Sequence, residues 1–275
     1  YSDLFYSNFL SFIFQCAYAK YLIEDLGIRP SLLIGHSLGE FTAAVVSGVY
    51  SFENGLDILF HRYQCLKDLN SNGRLAVIRD SEKAVTHLIK NIPGVYIANC
   101  NTDQQTVIGG LLEDINKAKE ILLEKNIELK ILNASHAYHT PIVASASDPL
   151  YEKIKNIPTG KMMIPMTSFG LNEIVTDSSA VARILADGYS AQVHFSKVIS
   201  LAEEFGIRHY VDVGPSWVSY KMVEANLESM NKNLSSKAYY LNHAKEDDKK
   251  SLSNFVMQQK IYFPKEIQSA TQPYI

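Results

Sequence analysis

The segment that most narrows the fold runs from Ser31 to Val46, Ser-Leu-Leu-Ile-Gly-His-Ser-Leu-Gly-Glu-Phe-Thr-Ala-Ala-Val-Val. A short apolar run, read as a buried strand, meets Gly35-His36-Ser37-Leu38-Gly39 and passes into a helical stretch that is small on one side. Strand, sharp turn and helix in this order belong to α/β proteins, whose sites lie at the carboxyl ends of strands. Gly35 and Gly39 flank the serine as in G-x-S-x-G, where crowding at the turn is expected to demand glycine at both positions. Ser37 is therefore the candidate nucleophile. The helix behind it points free N–H groups at the place where an oxyanion would develop, and Leu38 N–H is the natural first donor.

The flanking patterns fill out the layers. Apolar residues from Leu4 to Leu26 recur at three- and four-residue spacing, a helix period that Gly27 and Pro30 bring to an end. From Arg74 to Leu132 the rhythm changes. Strands are expected at 75–78, 95–98, 105–109 and 127–132, with helices at 81–89, capped by Asp80-Ser81, and at 114–125. This β-α-β-β-α-β order is ferredoxin-like and fits a compact unit inserted into a larger domain. Beyond His139, residues 164–168 read as extended, 181–186 and 195–205 as helices and 209–213 as a strand ending at Gly214-Pro215. A charge run at 246–250 opens a tail with Pro264 and Pro273. The division expected is 1–72 with 139–244 as the α/β core, 73–138 as the inserted unit and 245–275 as a tail or linker.

Composition excludes several classes. The 275 residues are 47% hydrophobic, enough for a core of one large domain with an insertion. A net charge of -3 gives no electrostatic footprint for nucleic acid. No apolar run reaches the roughly 18 residues a spanning helix needs, and Tyr1 to Phe5 lacks the pattern of a secretory leader. Three scattered cysteines, Cys16, Cys65 and Cys100, build neither a disulfide framework nor a Cys-rich zinc site. A cytoplasmic protein without membrane or nucleic-acid partners is expected.

A serine nucleophile needs a general base in reach. Of eight histidines, His87 falls on a helix of the inserted unit, while His61, His194, His209 and His243 carry no motif. His136 and His139 flank Ala137-Tyr138 where the chain returns to the large domain, a hinge that overlooks the cleft. One of this pair is the expected base. No acidic third member stands out, and a backbone carbonyl orienting the imidazole would serve.

Gly35-His36-Ser37-Leu38-Gly39-Glu40 resembles the GHSLGE signature of malonyl-CoA:acyl carrier protein transacylases and polyketide synthase acyltransferase domains. The resemblance continues in register: Leu26-Gly27-Ile28-Arg29-Pro30, Arg62 after His61, Ala98-Asn99-Cys100-Asn101 with Val107-Ile108-Gly109-Gly110, Ser135-His136-Ala137-Tyr138-His139-Thr140-Pro141, and Val213-Gly214-Pro215. It covers about Phe9 to Tyr220. It implies an α/β-hydrolase-like large domain with a parallel sheet and an inserted ferredoxin-like subdomain. It also implies that Ser37 accepts the acyl group, that His139 is the base, and that Arg62 binds the free carboxylate of a malonyl group through its guanidinium fork. His36, Tyr138 and Asn101 would line the substrate site, and the carbonyl orienting the base maps near Gly188.

The implied reaction is ping-pong transfer from acyl-CoA, malonyl-CoA above all, through a Ser37 ester to the phosphopantetheine thiol of an acyl carrier protein, beside other polyketide synthase domains. No metal or bound cofactor is expected. The family's second oxyanion donor comes from a G-Q-G-S-Q loop on its first strand. That loop would precede Tyr1: it is either supplied by a preceding segment or lacking, and losing one donor costs about 2.7–4 kcal/mol of transition-state stabilisation. Tyr63 stands where the family has glycine, Tyr138 replaces its phenylalanine, and Gln192-Val193-His194-Phe195 replaces its Pro-Val-x-Phe/Trp. An acyl hydrolase of the same fold, clearing stalled chains from carrier proteins, is the alternative. A docking domain without activity is the third reading, and the intact Ser37 and His139 oppose it.

Overall fold

A computed structural model describes residues 4–69, 71–230 and 235–241. The tail expected at 245–275, and His243, lie outside them. Helix α1 (Leu4–Lys20) runs into one wider turn at Tyr21–Asp25 and packs on α2 (Gly39–Val46) and α3 (Phe52–Lys67). The Ser51 hydroxyl caps α3 by accepting from Asn54 N–H, one of the donors a helix start leaves unpaired. Phe12 of α1, Ala44 of α2 and Ile58 of α3 meet in a large core, which also takes Leu150 from α6 (Ser147–Ile154).

The middle of the chain forms β1 (Gly73–Ile78), α4 (Glu82–Ile89), β2 (Val95–Thr102), β3 (Gln105–Leu111), α5 (Leu112–Glu124) and β4 (Leu129–Ile131). The strands lie in the order β4-β1-β3-β2, each pair antiparallel. Ser81 caps α4 by accepting from Ala84 N–H. One face of this sheet and the two helices enclose a separate core of Ile78, Val85, Ile108, Ile115 and Leu122. Periodicity places these elements within a few residues of their observed ends; β2 runs on to Thr102, paired with β3 across two irregularities in its register.

The rest of the chain returns through β5 (Met166–Ser168), β6 (Glu173–Val175), α7 (Val181–Asp187), β7 (Val193–His194), α8 (Phe195–Glu204), β8 (His209–Asp212), α9 (Val218–Ser229) and β9 (Lys237–Tyr240). The fold is mixed α/β, with parallel pairing at three places among the described residues. β8 pairs with β9, Leu33 bridges to Met166, and β7 pairs with β2. The run 31–34, expected as a strand, is a single parallel bridge at Leu33, with Thr167 N–H donating to Leu33 O. The middle unit is also less separate than an insertion suggests, because β7 extends its sheet at the β2 edge. That shared edge brings residues 191–194 against β2, next to the candidate site.

Candidate active site

The turn between Leu33 and α2 is built on one required glycine. A Cβ at Gly35 would lie 2.4 Å from Glu40 N and 2.6 Å from Gly39 C, distances that real Cβ atoms do not adopt. At Gly39 nothing described lies within 4 Å of a Cβ, so crowding does not demand glycine on both sides of the serine. Ser37 takes φ +52, in the left-handed region that costs an L-residue energy and that tight functional turns retain. Gly39, Glu40 and Phe41 N–H donate to His36, Ser37 and Leu38 carbonyls, closing the first turn of α2. Among the described residues no hydrogen bond takes Leu38 N–H, which leaves the expected oxyanion donor free.

Ser37 Oγ lies 2.8 Å from His139 Nε2. His139 also has positive φ, +62, and its N–H donates to Tyr189 O at 2.6 Å. Its Nδ1–H donates to Ala191 O at 3.1 Å, which leaves Nε2 as the acceptor facing the serine. The acceptor is thus Ala191, three residues beyond the Gly188 implied by resemblance. Gly188 caps α7 and its backbone acts on the ring as a lesser contributor. Burial, then the electrostatic influence of His36 and Arg62, hold His139 down to about 3, so the ring is neutral near neutrality. Phe169 packs edge-on to it at 5.4 Å. His136 faces elsewhere, with Nε2 3.1 Å from Leu66 O on α3.

His36 Nε2 lies 2.9 Å from Asn101 Oδ1, and Asn101 Nδ2 donates to Gln105 Oε1. Each polar atom of the Asn101 amide therefore has one partner, and Asn101 holds the His36 ring. Phe195 meets the same ring at 5.1 Å, and burial lowers its pKa.

Arg62, on α3, is 8% exposed. Its guanidinium carbon lies 5.3–5.5 Å from the ring centres of Phe41, Tyr138 and Tyr189. No carboxylate among the described residues comes within 4.0 Å of its nitrogens. The guanidinium is thus a buried cation held by aromatic faces, with no carboxylate counter-ion among the described residues. Tyr189 OH donates to Arg62 O at 2.5 Å while Tyr189 O receives His139 N–H, so one residue ties the main chain at Arg62 to the main chain at His139.

Sequence reasoning did not find Ala191, Tyr189 or Phe169. Carbonyls and aromatic walls carry no spacing rule. Glu40 was visible in the motif but not its partner: its Oε1 accepts from Phe169 N–H at 2.8 Å, joining α2 to the end of β5.

A serine on a strained turn ahead of a helix and a buried histidine held by main-chain carbonyls define an α/β protein with a serine–histidine pair. The chain belongs to the acyl transferase domain family, whose sequence profile matches residues 10–268. It is 30% identical over 218 residues to the non-reducing polyketide synthase nscA of Arthroderma gypseum, covering 74% of this chain and 12% of that protein. The chain therefore spans only about an eighth of the curated relatives it matches. The acyltransferase domain from the second module of the salinomycin polyketide synthase shares the fold, with TM-score 0.79 and 23% identity over 90% of this chain and 58% of that one. So does a chain of the complex between PlMCAT, a malonyl-transacylase, and AntF, a type II polyketide synthase acyl-carrier protein, at TM-score 0.78 and 21% identity over 88% and 77%. No described helix is long and apolar enough to cross a membrane.

Proposed function

We propose that this chain transfers a malonyl-type acyl group from CoA to the phosphopantetheine thiol of an acyl carrier protein during polyketide assembly. One arrangement carries the reading: Ser37 Oγ 2.8 Å from His139 Nε2, beside a buried Arg62 with no carboxylate partner among the described residues. Kinship with polyketide synthases supports the setting, and the transacylase–carrier complex supports the kind of partner.

Ser37 Oγ attacks the thioester carbonyl as His139 Nε2 takes its proton. The oxyanion meets Leu38 N–H, backed by the start of α2. As the tetrahedral intermediate collapses, the C–S bond breaks and His139 returns the proton to the CoA sulfur. The carrier thiol then attacks the Ser37 ester by the same steps in reverse. Ala191 O holds the ring through Nδ1, replacing the carboxylate of a triad. Arg62 takes the malonyl carboxylate, with Tyr138 and His36 as walls. The 73–138 unit acts as a subdomain beside the site, and the cytoplasm is the compartment this reading assigns.

A malonyl carboxylate pays a heavy desolvation penalty unless a charged donor meets it. Hydrogen bonds to a charged group contribute about 1.5–3 kcal/mol, so Arg62→Ala should lose malonyl transfer by roughly 10- to 100-fold. Acetyl transfer should change little or rise. The malonyl-to-acetyl ratio of carrier acylation, with free acid followed in the same assay, checks this. A ratio unmoved by Arg62→Ala, with acyl groups released mainly to water, would replace the transferase with the hydrolase.

A further inference from the structure

A second group of chemistry-bearing side chains lies on α4, β2 and β7, apart from the serine–histidine pair. Glu82 from the first turn of α4, Cys100 from β2 and His194 from β7 bring one ligand atom each within 4.8 Å of one another. Cys100 and His194 are register partners on adjoining parallel strands, so their side chains are neighbours by construction. We propose that Glu82, Cys100 and His194 bind one zinc ion, with water as the fourth ligand.

Three observations support the site. His194 Nδ1 is buried and has no hydrogen-bond partner, a polar atom without a task that metal ligation would supply. It lies 3.9 Å from Glu82 Oε2, close enough to face it and too far to bond it. Gln192 Nε2 lies 3.3 Å from both Glu82 Oε1 and Cys100 Sγ. It is placed to donate to the two anionic ligands, the role that outer partners play around bound zinc.

The chemistry fits zinc better than a hard cation. Thiolate, imidazole and carboxylate are its usual donors, at about 2.0–2.3 Å in a tetrahedron. Ligand atoms around such an ion stand roughly 3.3–3.7 Å apart. The present separations contract by about an ångström on binding, within reach of side-chain rotation. Thiolate and carboxylate together cancel the ion's double charge. The Cys100 thiol loses its proton to solvent as the sulfur–metal bond forms; burial and Glu82 push that thiol up to about 12 in the metal-free protein, and the ion reverses this. Glu82 is 43% exposed, so the cluster is open to solvent at this ligand. Exposed Lys197 acts electrostatically on both Cys100 and His194 and weakens the site without abolishing it.

The position gives the ion a consequence. Gln192 and His194 flank Val193 directly after Ala191, whose carbonyl holds His139. Zinc would pin this segment to α4 and β2 and so fix the orienting carbonyl, without touching the reacting atoms.

The test is metal binding by the whole chain. Cobalt(II) replaces zinc and reports sulfur ligation through a thiolate-to-metal absorption band, and zinc stoichiometry follows from competition with a chromophoric chelator. The expectation is one ion per chain with a thiolate band. Cys100→Ser should abolish the band, His194→Gln should weaken binding by at least roughly 100-fold, and Gln192→Ala by about 10- to 100-fold. Lys197→Met should tighten it. No saturable binding, a spectrum without the thiolate band, or a band that survives Cys100→Ser overturns the proposal. The wild-type spectrum alone decides the matter should a variant fail to fold.

Discussion

The serine and the histidine are coupled at 2.8 Å, and each sits in the left-handed backbone region. Neither conformation is cheap for an L-residue, so the surrounding hydrogen bonds must hold them there. Ser37→Ala should abolish the acyl mass gained by the intact protein from an acyl-CoA, as read by mass spectrometry. Label that persists on Cys16, Cys65 or Cys100 would refute a serine ester; all three thiols are buried and held high in pKa, which makes them poor nucleophiles. His139→Ala should lower transfer by roughly 10²–10⁴-fold, the range of a positioned general base. His136→Ala should cost far less, because His136 bonds to α3 and not to the serine. Equal losses in steady-state assays of the two variants would remove His139 from the role.

At the scale of elements, the two glycines of the turn make opposite predictions. Gly35→Ala forces a methyl to within 2.4 Å of a backbone nitrogen and should destabilise the protein by several kcal/mol or prevent folding. Gly39→Ala meets open space at the start of α2 and should leave stability level or raise it by about 0.5–1 kcal/mol. Denaturant titration of both variants decides; equal destabilisation would show that the turn crowds both positions. This contrast also marks what the sequence could tell. The motif located the turn, but both glycines looked alike in it, and only the packing of Glu40 and Gly39 back onto Gly35 separates them. Helices such as α7 and strands β1 to β3 were legible because each has its own apolar period. The parallel sheet was less so, since it is made of short pieces, a bridge at Leu33 and a two-residue β7, too brief to carry a period. Ser37 could be read from its turn, and the pair containing His139 from its place in the chain. The carbonyl at Ala191 and the ring of Tyr189 could not, because any residue has a carbonyl and aromatic residues fill every core.

Across the whole molecule, two buried titratable groups pull stability in opposite directions with pH. Glu40 is 1% exposed, and burial raises its carboxyl well above the ordinary 4.5 despite the bond from Phe169 N–H. It is neutral in the folded protein where the unfolded chain has already lost the proton. Stability from Glu40 is thus fully present below about 4.5 and falls as pH rises toward its folded pKa, by up to about 1.4 kcal/mol per unit. His139 behaves conversely. Its pKa is about 3 folded against 6.5 ordinarily, so its contribution is present above 6.5 and is lost as pH falls toward 3. As pH rises above about 4.5 the Glu40 contribution starts to fall while the His139 one is still being regained, so the two slopes oppose each other there, and below 4.5 the His139 slope stands without the Glu40 one. Glu40→Gln isolates the first. The amide keeps an oxygen for Phe169 N–H and matches the neutral acid in shape, but it cannot ionise when the chain unfolds. The variant should match wild type, within about 1 kcal/mol, near pH 4 and gain on it as pH rises above about 4.5, until the folded carboxyl itself ionises. Urea unfolding at pH 4, 5, 6, 7 and 8 measures the difference. A gap that stays constant across that range would mean that Glu40 is ionised in the folded protein, and that α2 is joined to the end of β5 by a charge instead of a neutral acid.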